Sequence, residues 1–139
     1  MKTFNRHFLF LLLAVISITL SCQKNAGGGA PPPTEQTLAV TTNPLANGHV
    51  EAPAPGPTFN LNVTITSAMP ATGVKIDVSA KPDGGTINFF SATKTTTSAS
   101  NDFVITGATA SVVSVATITV TSLSTATNTY TGSYKFSRK

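Results

Sequence analysis

Beyond residue 21 the sequence holds five carboxylates (Glu35, Glu51, Asp77, Asp83 and Asp102), one histidine (His49) and one cysteine (Cys22). Two facing carboxylates would serve glycoside hydrolysis. Asp83 and Asp102 fall in predicted loops and could meet at one end of a domain, although hydrogen-bonding their own turn backbone is the simpler use for each. Calcium takes six to eight oxygen ligands, usually from clustered acids, yet no two of these carboxylates stand within four positions of each other. His49 lies in a proline-rich stretch with no second histidine for a metal and no base partner. Serine and threonine are abundant, but no G-x-S-x-G elbow activates one of them. Gly27, Gly28 and Gly29 do not join a strand to a helix, as a phosphate-binding loop must. The expectation is a non-enzymatic chain with no catalytic residues, no metal site and no cofactor.

Cys22 stands apart from this set. It follows Phe8 to Leu20 (FLFLLLAVISITL), an uncharged and mostly apolar run of 13 residues. Lys2 and Arg6 precede that run, and small Ser21 separates it from the cysteine. Crossing a bilayer takes about 20 apolar residues, so the run is short for a permanent span and suits an export signal. With no second cysteine in the chain, Cys22 has no intramolecular disulfide partner.

This arrangement resembles a bacterial lipoprotein signal peptide. Leu20, Ser21 and Cys22 match the last three places of a lipobox, while Thr19 stands where leucine is commonest. The resemblance implies cleavage between Ser21 and Cys22, diacylation of the Cys22 sulfur, and acylation (palmitate-type chains) of the new amine. Two or three acyl chains anchor a protein stably, at about 0.8 kcal/mol per buried CH₂. The expected organisation is a signal peptide over 1–21, a lipidated cysteine and tether over 22–35, and one domain over 36–139. The tether QKNAGGGAPPPTE combines flexible glycines with stiff prolines, and its 13 residues reach about 40 Å at about 3 Å each.

Removing residues 1–21 leaves seven basic and five acidic side chains, a formal net charge of +2 against +4 for the whole chain. The basic residues are scattered, and only Arg138 and Lys139 adjoin. A nucleic-acid binder would show a basic stripe with interleaved aromatics, so no nucleic-acid partner is expected.

From Thr37 onward the pattern is that of strands, rich in Thr, Ser, Val and Ile, with no period of 3.6. Gln36–Thr42 is a first strand. Residues 43–57, with four prolines and two glycines, form a loop in which His49, Val50 and Glu51 make a short extended piece. In Thr58–Ala68, Phe59, Leu61, Val63 and Ile65 alternate with polar residues, and in Gly73–Lys81, Val74, Ile76, Val78 and Ala80 do the same. Thr86–Thr93 reads as a strand with Ile87 and Phe89 on one face and Phe90 on the other. Thr95–Asp102 reads as a loop, and Phe103–Thr106 as a short strand. In Ser111–Ser122 the apolar phase switches between Val113/Val115 and Ile118/Val120, which a bulge near Ala116 would reconcile. Thr129–Ser137 closes the chain, with Tyr130, Tyr134 and Phe136 on one face.

Six or seven such strands predict an all-β fold of two sheets packed face to face. The stretches TFNLNVTITSAMPATGVKIDVSA and ATITVTSLSTATNTYTGSYKF resemble the immunoglobulin-like antiparallel β-sandwiches of bacterial envelope lipoproteins. They lack the Cys…Trp…Cys signature of antibody domains, since the chain has one Cys and no Trp. Lipobox, tether and Thr/Ser-rich sandwich together resemble the small lipoproteins of the Bacteroidota. That resemblance implies a protein held in the cell envelope by the lipid on Cys22, at the outer membrane. In such lipoproteins acids soon after the cysteine favour surface display; here Gln23, Lys24 and Asn25 follow it and no acid precedes Glu35, which weakens the case for the surface without excluding it. The expected role is structural or a contact with an unknown protein. The alternative is a glycan-binding accessory of a surface uptake system, whose candidate aromatics are Tyr130, Tyr134, Phe89 and Phe90.

Overall fold

The computed structural model describes residues 34–139, which form eight strands and no helix. In chain order these are β1 (Val40–Asn43), β2 (Asn47–Val50), β3 (Phe59–Ile65), β4 (Val74–Pro82), β5 (Phe90–Thr96), β6 (Ser100–Ile105), β7 (Val113–Ser122) and β8 (Thr129–Ser137). One sheet has the order β1-β3-β6 and the other β2-β8-β7-β4-β5. Every pairing is antiparallel except β2 with β8, which run parallel. The fold is an immunoglobulin-like β-sandwich.

The inner faces come from the alternation that the sequence shows. Leu61, Val63 and Ile65 of β3 are buried, as are Val74, Ile76, Val78 and Ala80 of β4. From β7 and β8, Ala116, Ile118, Val120, Tyr134 and Phe136 join one contiguous core, and Phe103 and Ile105 of β6 close it from the opposite sheet. Their polar neighbours on each strand face outward.

Four expectations are corrected. The strand count is eight, because Asn47–Val50 pairs with β8 through its backbone although all four side chains are exposed. β5 starts at Phe90 instead of Thr86. Ile87 is 80% exposed in the preceding turn, while Phe89 and Phe90 both pack against the core. The polar stretch expected as a loop over Thr95–Asp102 is mostly strand, since β5 runs to Thr96 and β6 begins at Ser100. These are edge strands, and threonine tolerates a pleated surface open to water. β7 has no bulge: its register with β4 and β8 is unbroken. Ser114 takes the inward place at 0% exposure and Val113 faces out at 45%, so a small polar residue holds the phase that valine was expected to hold.

One local feature shapes the open edge of the three-stranded sheet. β1 leaves the three-stranded sheet after Asn43, and the chain crosses by Pro44 and Leu45 to enter the other sheet as β2. The Thr42 hydroxyl accepts the Ala46 N–H at 2.7 Å inside the crossing. The Ala46 carbonyl then accepts the Ser133 N–H of β8 at 3.2 Å. The crossing runs close over Gly132, where a Cβ would lie 2.5 Å from both the Ala46 oxygen and the Tyr130 hydroxyl.

Candidate functional site

Ser21 and Cys22, the expected cleavage and lipidation residues, lie outside the described residues, as does the expected tether up to residue 33. Two of the five carboxylates were candidates for joint chemistry, and the structure gives them separate partners. Asp83, in the turn after β4, accepts from Lys135 Nζ at 2.7 Å. Asp102, exposed on β6 of the other sheet, accepts from Asn62 Nδ2 at 2.7 Å. Among the described residues no group of three or more His, Cys, Asp or Glu could hold a metal ion. His49 stands on exposed β2 with Nε2 3.3 Å from Glu51 Oε1. Ser91 and Lys94 have S-x-x-K spacing, but three positions along a strand put them on opposite faces of β5.

The aromatic candidates for sugar stacking are taken up by the core. Tyr134 is 1% exposed, and Tyr130, Phe89 and Phe90 are half-buried against the core cluster. Phe136 packs tilted against Phe59, with ring centroids 4.4 Å apart and an interplanar angle of 55°, and lies 5.7 Å from Tyr134.

A concave surface lies elsewhere, where β1 departs. A concavity of about 420 Å³ is lined by Asn43, Pro44, Asn60, Leu61, Asn62, Asp102, Phe103 and Val104. Its size falls in the range of about 300–1,000 Å³ usual for ligand sites. Register builds its polar row: Asn43, Asn62 and Asp102 face one another across β1, β3 and β6. Asn62 fixes that row by donating to Ser100 Oγ at 2.9 Å and to Asp102, while its own carbonyl oxygen accepts from Thr64 Oγ1 at 2.8 Å.

A second recess of about 180 Å³ shares Pro44 and Asn60 with the first and is otherwise lined by Glu51, Ala52, Ala54, Thr58, Phe59, Tyr134 and Phe136. The two recesses adjoin at Pro44 and Asn60, which line both, and the groove is this pair of recesses. Tyr134 lines the recess, and its hydroxyl is buried without a hydrogen-bond partner among the described residues. Burial, with the negative charge of Glu51 added, pushes its pKa up to about 12, so this hydroxyl stays a proton donor through the physiological range. Acidic residues Asp102 and Glu51 line the groove's two parts, and no Lys, Arg or His joins them in the lining. The groove brings acceptors and amides together beside an apolar recess.

Two further carboxylates are held below the usual range by hydrogen bonds. Glu35 is lowered by Ser122, then by Asn128, Ser124 and Thr125, and Asp77 by Thr93 and then Lys75. The groove was not visible to sequence reasoning, since its lining comes from β1, β3, β6, β8 and the loop after β2. Compared with family models, curated proteins and solved structures, the chain matches none of them.

Proposed function

We propose that this chain is a non-enzymatic cell-envelope protein, lipid-anchored through Cys22, whose β-sandwich serves as a structural or protein-contact module. The observation that carries the reading is the place of the sole cysteine. It stands directly between an apolar run of export-signal length and a Gly/Pro-rich stretch that precedes the folded unit Glu35–Lys139. The domain supports a contact role by presenting a groove beside an interrupted sheet, while Asp83 and Asp102 are tied to separate partners.

The test is fractionation with protease shaving of cells expressing the wild-type chain or Cys22→Ala. The wild type is expected in the membrane fraction, with an acylated N-terminal peptide in mass spectra, and Cys22→Ala in the soluble fraction. Wild-type protein that fractionates as soluble, like the variant, would overturn the anchor. Loss of the domain from shaved intact cells would put it on the surface, and protection until the outer membrane is breached would put it in the periplasm.

A further inference from the structure

β3 is paired on both sides along only part of its length. β1 covers Asn62 to Ile65, whereas β6 covers Phe59 to Thr64. The backbone alternates which side its N–H and C=O groups face. Ile65 N–H donates to Ala99 on the β6 side, and Thr66 N–H donates to Ala39 on the β1 side. Even-numbered residues of β3 therefore direct their backbone groups toward β1. For Asn60 that neighbour is missing, because β1 has crossed to the other sheet at Pro44. An unpaired strand edge is a template for another chain.

The groove lies along this interrupted edge. Asn60 and Pro44 line both of its parts. A residue added beside Phe59, on the line that β1 abandons, would send its inward side chain into the recess formed by Phe59, Tyr134 and Phe136. That recess, about 180 Å³, is of the order of the 150 Å³ apolar cavities that admit a benzene ring. Tyr134 lines it too, with a buried hydroxyl that has no hydrogen-bond partner among the described residues. The charged groups lining the groove are carboxylates, Asp102 and Glu51, and Val104 at its rim is 51% exposed.

We infer that this groove takes an extended segment of a partner protein as an added strand on β3, with an apolar side chain seated in the recess and Lys or Arg flanking it. Backbone pairing at Asn60 supplies register, the recess selects one side chain, and Asp102 and Glu51 attract the flanking cations. The inference rests on the protein-contact part of the proposed function and is independent of the lipid anchor.

The test uses the mature chain in detergent micelles and an array of octapeptides of alternating Lys and Val, with Ala, Leu, Met or Phe replacing one Val. The bound peptide is expected to slow hydrogen exchange of the Asn60 amide at least about tenfold and to weaken as salt rises. Asn60→Pro deletes the N–H that faces the open side while leaving the odd-numbered pairing with β6, and should weaken binding about tenfold or more. Asn60→Ala retains the amide and should bind within about threefold of wild type. Ala54→Trp fills the recess and should erase the preference among the seated side chains.

Binding that survives Asn60→Pro unchanged overturns the inference, and so does an array in which no peptide binds. Saturable glycan binding at Asn43, Asn62 and Asp102 with no peptide binding overturns it in favour of a sugar site. Self-association abolished by Asn60→Pro overturns it in favour of a second copy. An anchored wild-type chain that binds no peptide defeats this inference alone, whereas wild type and Cys22→Ala that fractionate alike defeat only the anchor.

Discussion

Tyr134 joins core packing to an idle hydroxyl. Its ring lies between the sheets beside Phe136, and its oxygen has no partner among the described residues. Because burial raises the folded-state pKa from 10.0 to about 12, the folded chain keeps a proton that the unfolded chain gives up first. Its contribution is therefore complete below the unfolded value and is lost as pH rises from 10.0 through about 12. Tyr134→Phe should flatten the alkaline limb of a Tm-against-pH curve and delete the absorbance step near pH 12. A variant with the wild-type alkaline limb would contradict the assignment. At neutral pH the substitution should change stability by no more than about 1 kcal/mol, since it removes an unbonded group. Ile76 behaves differently. It is wholly buried, pairs across to Val120 and Lys94, and lacks any polar role. Ile76→Ala should cost about 2–5 kcal/mol in chemical denaturation, through lost burial and the cavity left behind.

At the level of the strands, tolerance depends on where two backbones approach each other. Gly132 sits on β8 under the crossing from β1 to β2, and its missing Cβ leaves room for the Ala46 carbonyl and the Tyr130 hydroxyl. Gly132→Ala should cost about 1–3 kcal/mol. It should act locally, speeding amide exchange in β2 and at Ser133 before β3 or β4 is affected. Uniform loss of protection across both sheets would contradict that placement. Gly73 has a second such constraint, with φ +86° and a Cβ position 2.5 Å from the Thr96 carbonyl oxygen. β3 and β4 were legible in the sequence because each has one wet and one buried face, so period-2 alternation reports burial directly. β2 was legible only as an extended piece, because a four-residue edge strand with every side chain exposed has no alternation to read. β7 misled because Ser114 lies inside while Val113 lies outside, a choice made by the unbroken register with β4 and β8. The groove was illegible for a related reason. The sequence marks residues 43–57 as irregular by their prolines, but only long-range pairing determines which edge the departing strand exposes.

At the scale of the whole domain, both ends of the described chain are tied down. The Asn128 side chain accepts the Leu38 N–H at 2.8 Å and donates to Glu35 Oε1 at 2.6 Å and to the Gln36 carbonyl at 2.9 Å. This ties the segment before β1 to the turn between β7 and β8. At the other end Lys139 N–H donates to the Ala54 carbonyl at 2.8 Å. Glu35 and Asp77 both have lowered pKa values in the folded state, so each contributes stability above its ordinary value, 4.5 and 3.8 respectively. That contribution is lost as pH falls through the folded values. Tm should decline as the solution is acidified below about pH 5, and the Glu35→Gln, Asp77→Asn double variant should decline less steeply. Equal slopes would show that other groups control the acid limb.

The parallel pairing of β2 with β8 has a mechanical consequence. The path toward the N-terminus leaves β2 at its beginning, and the path toward the C-terminus leaves β8 at its end. Two strands that point the same way and are pulled from opposite ends slide along each other, so their hydrogen bonds share the load instead of opening one at a time. Traction between the two ends would load β1 against β3 first and then this short pair in shear.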